Sequence, residues 1–186
     1  PLSKHQQFNE KSFDLILDKI LTDKRKIAKG VFVPTSVTQS DFANMFSDQE
    51  NEKYTLEDID NLEPLNFEEH VVRKLRTFSN LKVSLTPTSH DYGADIIVKY
   101  KNNSSAIIQC KHRSSFQRNL SEDGCDELIN AKRNYRDLIN PKLFLVSNVS
   151  RPTQGCFNKA NANDINLIFR DSILDVGNII KNKLNE

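Results

Sequence analysis

Four polar side chains in one short region have the chemistry to act on a phosphate ester. The stretch HDYGADIIVKYKNNSSAIIQCKH, residues 90–112, holds two carboxylates, an amide and an ammonium group, from Asp91, Asp95, Gln109 and Lys111. Carboxylate and amide oxygens are hard ligands that suit Mg²⁺ or Mn²⁺, and such a cation polarises a phosphoryl oxygen and acidifies bound water. A nearby lysine can orient that water or neutralise developing charge. The set therefore suits phosphodiester hydrolysis.

Two predicted strands must bring these side chains together. GADIIVKY and SSAIIQCK are apolar runs of strand length, and KNNS between them is typical of a hairpin turn. Because side chains alternate along a strand, Gln109 and Lys111 share one face of the second strand. Ile108 and Cys110 then point to the opposite face. If the two strands pair, Asp95 lies beside Gln109 and Lys111.

Asp91 and Gly93 precede Asp95 and have two possible roles. Gly93 tolerates the tight backbone that would bring Asp91 close to Asp95 as an auxiliary acid. Asp-x-Gly is also ordinary turn chemistry that requires no catalytic role. The adjacent pair His90-Asp91 superficially resembles the motif of HD phosphohydrolases, but the other three histidines, His5, His70 and His112, are poorly spaced for that metal site.

The elements that follow residue 63 alternate regularly. We predict a helix capped by Asn66, with Glu69 in a capping box, and then a strand in LKVSLTP and the hairpin strands. The later elements are a helix at 122–139, a strand in KLFLVSN, a helix near 153–162, a strand in INLIF and a helix at 171–184. Late strands separated by helices imply an α/β fold with a mixed sheet flanked by helices.

Residues 1–63 are predicted to form a mainly helical N-terminal extension, and residues 64–186 a catalytic domain. Residues 12–29 have the spacing of an amphipathic helix, which could bind DNA, a partner helix or its own chain. Ser40 can cap a short helix through Phe46, and Thr55 with Asp58 resembles a capping box. Residues 41–63 contain eight acidic residues and one lysine, as expected of an acidic connector.

Composition limits the cellular setting. The 186 residues are 37% hydrophobic and 27% charged, and no apolar run approaches the length of a membrane span. The first residues have no apolar signal-peptide core, and the missing initiator Met leads us to expect a piece of a longer chain with further domains. Three dispersed cysteines favour reduced, packing thiols and an intracellular location, in the cytoplasm or nucleoid, with an organelle or the nucleus as alternatives.

The motif order resembles a known nuclease family. A helix with Phe67-Glu68, then D-x-G-x-D, an apolar strand and Q-x-K is similar to the Mrr-like branch of the PD-(D/E)xK nuclease superfamily. The resemblance covers about residues 65–180 and implies a restriction-endonuclease-like fold with Mg²⁺- or Mn²⁺-dependent cleavage of DNA. A role in restriction, defence or DNA processing would follow. Residues 1–64 have no counterpart in it.

The resemblance also implies residue roles. Asp95 would be the principal metal ligand, Gln109 would stand at the second acidic position and Lys111 would be the catalytic lysine. Glu68 would match the helix glutamate and Asp91 the auxiliary acid. For Glu68, a favourable position near the start of a helix is an equal alternative.

Basic residues after the catalytic strand could grip a DNA backbone. They are His112, Arg113, Arg118, Lys132, Arg133 and Arg136. A solvated helix face balanced by Glu122, Asp123, Asp126 and Glu127 is an equal alternative. Two rival functions stay open, a non-catalytic nucleic-acid-binding module and a nuclease for branched DNA or RNA. Cutting both strands would favour a homodimer.

Overall fold

The computed structural model describes residues 54–86, 92–100 and 104–186. The predicted helices at 12–29 and 40–46, Asp91 and most of the KNNS turn lie outside these residues. In the part of the chain that is described, no helix is both long and apolar enough to cross a membrane.

Five strands and five α-helices make up the described chain. The first half contains α1 (Leu56–Asp60), α2 (Pro64–Arg76), β1 (Leu81–Leu85), β2 (Ile96–Tyr100) and β3 (Ser105–Lys111). The second half contains α3 (Asp123–Asn134), β4 (Lys142–Ser147), α4 (Gln154–Ala162), β5 (Ile165–Ile168), a 3-10 helix (Arg170–Asp175) and α5 (Val176–Asn185).

The five strands form one mixed sheet in the order β1-β2-β3-β4-β5. The pair β2/β3 is antiparallel, as the hairpin signal predicted, and β1/β2 is also antiparallel. The pairs β3/β4 and β4/β5 are parallel. The parallel crossovers run through α3 and α4. The predicted α/β fold with a mixed sheet flanked by helices is confirmed.

Side-chain alternation divides the core into two layers. Ile108 and Cys110 of β3 pack with α2 and α5 in one hydrophobic cluster. Ile107 of the same strand belongs to a second cluster, with Leu128 of α3 and residues of α4. Gln109 and Lys111 have the parity of Ile107, so they point toward the α3 side of the sheet, as period two predicted.

The start of α2 differs from the prediction. Asn66 was expected to cap the helix and Glu69 to complete a capping box, but α2 begins three residues earlier than predicted, at Pro64, after Glu63. No side chain caps this helix end. Proline is favoured at the first helical position because its missing N–H would have no intrahelical partner there. The capping box of Thr55 with Asp58, at the start of α1, is confirmed.

Two later helices have different bounds from those predicted. The helix expected at 122–139 ends at Asn134, and the following turn buries Leu138 instead. The helix expected at 171–184 is a 3-10 turn followed by α5.

The described residues from 54 onward belong to one compact unit, Lys53–Glu186. Ile59 of α1 is fully buried in the core shared with α2 and α5. A residue from the segment predicted as a connector therefore packs inside this unit. The role of the residues before it stays a prediction.

Candidate active site

The candidate site lies where β2 begins and β3 ends. Antiparallel pairing sets Ile96 opposite Ile108, and the backbone N–H of Asp95 donates to the Ile108 carbonyl at 2.9 Å. This register brings Asp95 level with the end of β3. A concavity of about 450 Å³ opens at this edge. Its lining residues are Pro64, Glu68, Gly93, Asp95, Gln109, Cys110, Lys111, His112 and Glu127.

Asp95 and Gln109 are in direct contact. Nε2 of Gln109 donates to Oδ2 of Asp95 at 2.7 Å, and the backbone N–H of Cys110 donates to the same oxygen at 2.7 Å. The carboxylate thus fixes the amide orientation, since only the NH₂ group can donate to it. Gln109 is 5% exposed, and its Oε1 is buried without a hydrogen-bond partner among the described residues. A buried acceptor in that condition is unusual and calls for a ligand or a water.

Lys111 ends β3 at the same concavity, with 21% of its side chain exposed. Its ammonium forms an ion pair with the carboxylate of Glu127 on α3, and its backbone carbonyl accepts a hydrogen bond from the Ser147 hydroxyl. A lysine at the end of a buried strand is thereby partnered, which is the usual condition for a lysine that is largely removed from water.

Glu127 is the site residue that the sequence prediction missed. The sequence suggested for it only the alternative of balancing charge on a solvated helix face, but it lines the concavity and meets Lys111. The helical period could have predicted this position. The buried face of α3 includes Gly124, Leu128 and Ala131, and Glu127 lies on the same face.

Glu68 reaches the concavity from the other side of the sheet. It is half-buried and lies at the fifth position of α2, and the first turn of this helix has no acidic residue. The alternative role near the helix start therefore loses its basis. Burial raises the pKa of the Cys110 thiol well above its ordinary value, and the carboxylates of Asp95 and Glu68 act in the same direction. Both carboxylates therefore act on the same end of β3.

Gly93 is more than a flexible turn residue. Its φ is +91°, and a Cβ built there would lie 2.6 Å from the Glu127 carbonyl oxygen and 2.7 Å from its Cβ. The turn before Asp95 is thus pressed against α3 at Glu127. Asp91 lies outside the described residues. Within the described ranges, no three His, Cys, Asp or Glu side chains form a metal-binding group.

The predicted basic residues separate into two locations. Arg113 and Arg118 are exposed on the loop that follows β3, at the edge of the sheet where the site lies. Lys132 and Arg133 are in the last turn of α3, and Lys132 lines a different groove with Asn140 and Lys142, at the start of β4. The helix therefore places Lys132 and Arg133 near the start of β4, at the end of the strands opposite to the site.

His112 is held by structural contacts. Its Nε2 lies 3.0 Å from the backbone carbonyl oxygen of Ile59, and its ring lies 5.3 Å from that of Phe67, between centroids. These contacts tie the end of β3 to α1 and α2. Contact with phosphate stays a prediction for His112.

A mixed five-stranded sheet flanked by helices is consistent with a restriction-endonuclease-like fold. The family model for the Mrr catalytic domain, described as restriction endonuclease, matches residues 59–176. The chain belongs to this family of restriction endonucleases, and the resemblance seen in the sequence is confirmed.

Two further comparisons add little. No curated protein matched the chain. Among solved structures, the crystal structure of a protein of unknown function, AF1548, matches with a TM-score of 0.42 and 11% sequence identity. The match covers 55% of this chain and 55% of that one.

Proposed function

We propose that this domain is a metal-dependent endonuclease that hydrolyses phosphodiester bonds in DNA. The observation that carries the proposal is the pairing of Asp95 with Gln109 beside Lys111. In this pairing, Oε1 of Gln109 is buried without a hydrogen-bond partner in the described chain, and Lys111 lines the same concavity. Membership of a restriction endonuclease family supports the same reaction.

The donor set fits a hard divalent cation such as Mg²⁺ or Mn²⁺. Asp95 and Glu68 offer carboxylate oxygens, and Gln109 offers the orphaned Oε1, all at one concavity. Asp91 is a further candidate ligand. Oxygen donors with two negative charges match the preference of these cations. When bound, the cation would polarise the phosphoryl group and acidify a water molecule.

The residues of this chain have separate roles in the proposed reaction. Asp95 holds the Gln109 amide and the end of β3 in a fixed geometry through its two hydrogen bonds. The Lys111 ammonium orients the attacking water and neutralises charge that develops on the phosphoryl oxygens. Water attacks phosphorus in line and gives up a proton to solvent, while the P–O3′ bond breaks and O3′ takes up a proton, so that the products are a 3′-hydroxyl and a 5′-phosphate.

The two loops beside the site, which follow β3 and β4, are joined by hydrogen bonds. The Ser150 N–H donates to the Phe116 carbonyl at 2.9 Å, and the Leu120 N–H donates to the Arg151 carbonyl at 3.1 Å. Asn148 bonds both the backbone N–H and the carbonyl of Arg113. The loops that follow β3 and β4 are thereby fastened together.

The fastened loops have a basic surface. Segments 112–121 and 147–154 contain no Asp or Glu, and Arg113, Arg118 and Arg151 on them are exposed. Exposed arginines near a site for phosphodiester cleavage suit the phosphate backbone of DNA. We propose that these three arginines bind it.

Plasmid cleavage tests the reaction. Wild-type protein should convert supercoiled plasmid to nicked or linear DNA with Mg²⁺ or Mn²⁺, and EDTA should stop the conversion. Lys111→Ala should be inactive, and Lys82→Ala, which removes an exposed lysine of β1, should remain active. A folded wild-type protein that cleaves neither methylated, unmethylated nor branched DNA nor RNA would overturn the proposal.

Calorimetry separates the nuclease from a non-catalytic binding module. The proposal expects the wild type to bind Mg²⁺ or Mn²⁺ and Asp95→Ala to lose that binding. DNA binding without any metal binding or cleavage would instead favour the module. Two-strand cleavage with a size that corresponds to two chains would support the proposed homodimer.

A further inference from the structure

Glu127 connects the two sequence motifs of the proposed site. Its carboxylate meets the Lys111 ammonium, and its backbone and Cβ touch the turn at Gly93. Gly93 belongs to the D-x-G-x-D motif and Lys111 to the Q-x-K motif. One residue of α3 therefore contacts both.

One oxygen of the Glu127 carboxylate depends on this ion pair. Its Oε2 is buried and accepts no hydrogen bond within the described residues, so the Lys111 ammonium is the group that meets its charge. A buried carboxylate oxygen without compensation is strongly disfavoured. The pair therefore favours one position for the ammonium.

The stem of Lys111 also passes close to α3. A Cβ built at Gly124 would lie 3.4 Å from Cγ of Lys111, so the first turn of the helix passes close to the lysine stem. Lysine is a flexible side chain with a single point charge, and it directs that charge only when it is held. Gly124 leaves room for the stem beside the helix, and Glu127 holds the tip.

The other acids of α3 and its N-terminus have different partners. Asp126 bonds Lys159 at 2.8 Å, Glu122 pairs with Lys159 at 2.9 Å, and Asp123 accepts from the Ser121 hydroxyl. Among the acids of this helix, Glu127 has the contact with Lys111.

We propose that Glu127 is a positioning residue for the nuclease reaction. It holds the Lys111 ammonium toward the concavity and, through its contact with Gly93, fixes the distance between the lysine and the turn that leads to Asp95. The expected effect of Glu127 on the cleavage rate rests on the proposed function. Its effect on the position of the Lys111 ammonium rests on the ion pair alone.

Single-turnover cleavage tests the kinetic part. Glu127→Gln should lower the rate by about 10–100-fold, the usual range when a residue that orients a ligand or catalytic group is lost. The dissociation constant for DNA should change less than twofold, and Glu127→Asp should recover part of the rate. Asp126→Asn, the adjacent acid, is the matched control and should cleave at the wild-type rate.

A double mutant shows whether Glu127 acts through Lys111. In the Lys111→Ala background, Glu127→Gln should lower the free energy of unfolding less than it does in the wild-type background, because its partner is already absent. An additive loss there, or a wild-type rate for Glu127→Gln alone, would overturn the proposal.

The ion pair can be tested without any activity. The Lys111 ammonium should give a slowly exchanging ¹H–¹⁵N signal by NMR that disappears in Glu127→Gln and persists in Asp126→Asn. An unchanged signal in Glu127→Gln would overturn the inference by itself. An inactive wild type with the expected NMR result would instead contradict the proposed function and leave the positioning contact established.

Discussion

Nε2 of Gln109 donates a hydrogen bond of 2.7 Å to Oδ2 of Asp95. The amide therefore acts as a donor toward the neighbouring carboxylate, at the position where the resemblance in the sequence implies the second acid of the motif. A second carboxylate in that position would face Asp95 with like charge. The amide avoids that repulsion and leaves a buried acceptor, Oε1, on a residue that lines the concavity.

Gln109→Glu tests this relationship through stability. At pH 8 without divalent cations, the substitution should lower the free energy of unfolding by about 1–3 kcal/mol, because it removes a hydrogen bond and places two carboxylates in contact. Added Mg²⁺ should raise the melting temperature of Gln109→Glu more than that of the wild type. Urea and thermal unfolding measure both effects. Gln117→Glu, on an exposed loop, is the control and should show neither; equal stability of Gln109→Glu and the wild type would contradict the account.

Gly93→Ala should damage both stability and catalysis. The φ of +91° disfavours any side chain, and the new Cβ would collide with the Glu127 backbone. We expect a loss of about 1–3 kcal/mol in unfolding free energy and a slower cleavage rate per folded molecule.

Gly177→Ala provides the comparison for Gly93→Ala. A Cβ at Gly177 would lie 2.7 Å from the Lys74 carbonyl, between α5 and α2. That variant should lose stability and retain the cleavage rate of the folded fraction. A similar loss of rate in both variants would show that Gly93 has no specific connection to the site.

The salt dependence of DNA binding tests the arginine loops. In a Lys111→Ala background, which permits binding without cleavage, each change of Arg113, Arg118 or Arg151 to Ala should reduce the slope of log K against log salt by about 1. Arg76→Ala should leave the slope unchanged, since Arg76 ends α2 at the end remote from Pro64 and Glu68. Fluorescence anisotropy on a short duplex measures the slope. An unchanged slope in all three arginine variants would exclude these loops as the phosphate contact.

The three cysteines should resist alkylation in the folded protein. All are buried, and Sγ of Cys125 lies 3.8 Å from Sγ of Cys156 without a disulfide. Burial raises the pKa of Cys125 to about 12 and raises that of Cys156. Since the thiolate is the reactive form, a raised pKa keeps these thiols protonated and slow at pH 8.

Mass spectrometry after iodoacetamide treatment measures that resistance. The native protein should remain unmodified at pH 8, and the protein in denaturant should take up three groups, one per cysteine. Ser114→Cys, on an exposed loop, should add one fast-reacting thiol to the native protein. Fast modification of Cys125 or Cys156 in the native state would contradict the buried arrangement.

Local periodicity determined much of the site. The alternation in SSAIIQCK separated Gln109 and Lys111 from Ile108 and Cys110, and the hairpin signal brought Asp95 to the same end of β3. These features depend on a two-residue repeat and on one short connection, so neighbouring residues are enough to specify them. The mixed sheet followed from the order of strands and helices for the same reason.

Only the tertiary structure assigned the helices to the site. The helix period could place Glu127 on a buried stripe, but its contact with Lys111 depends on how α3 lies across the sheet. The same packing places Arg113 and Lys132 at opposite ends of the strands. It also brings Glu68 to the site from the opposite face of the sheet. The start of α2 at Pro64 also differed from the expected cap at Asn66, because several residues there are acceptable helix starts. Contacts between distant segments are set by the fit of whole surfaces, which no local pattern in the sequence encodes.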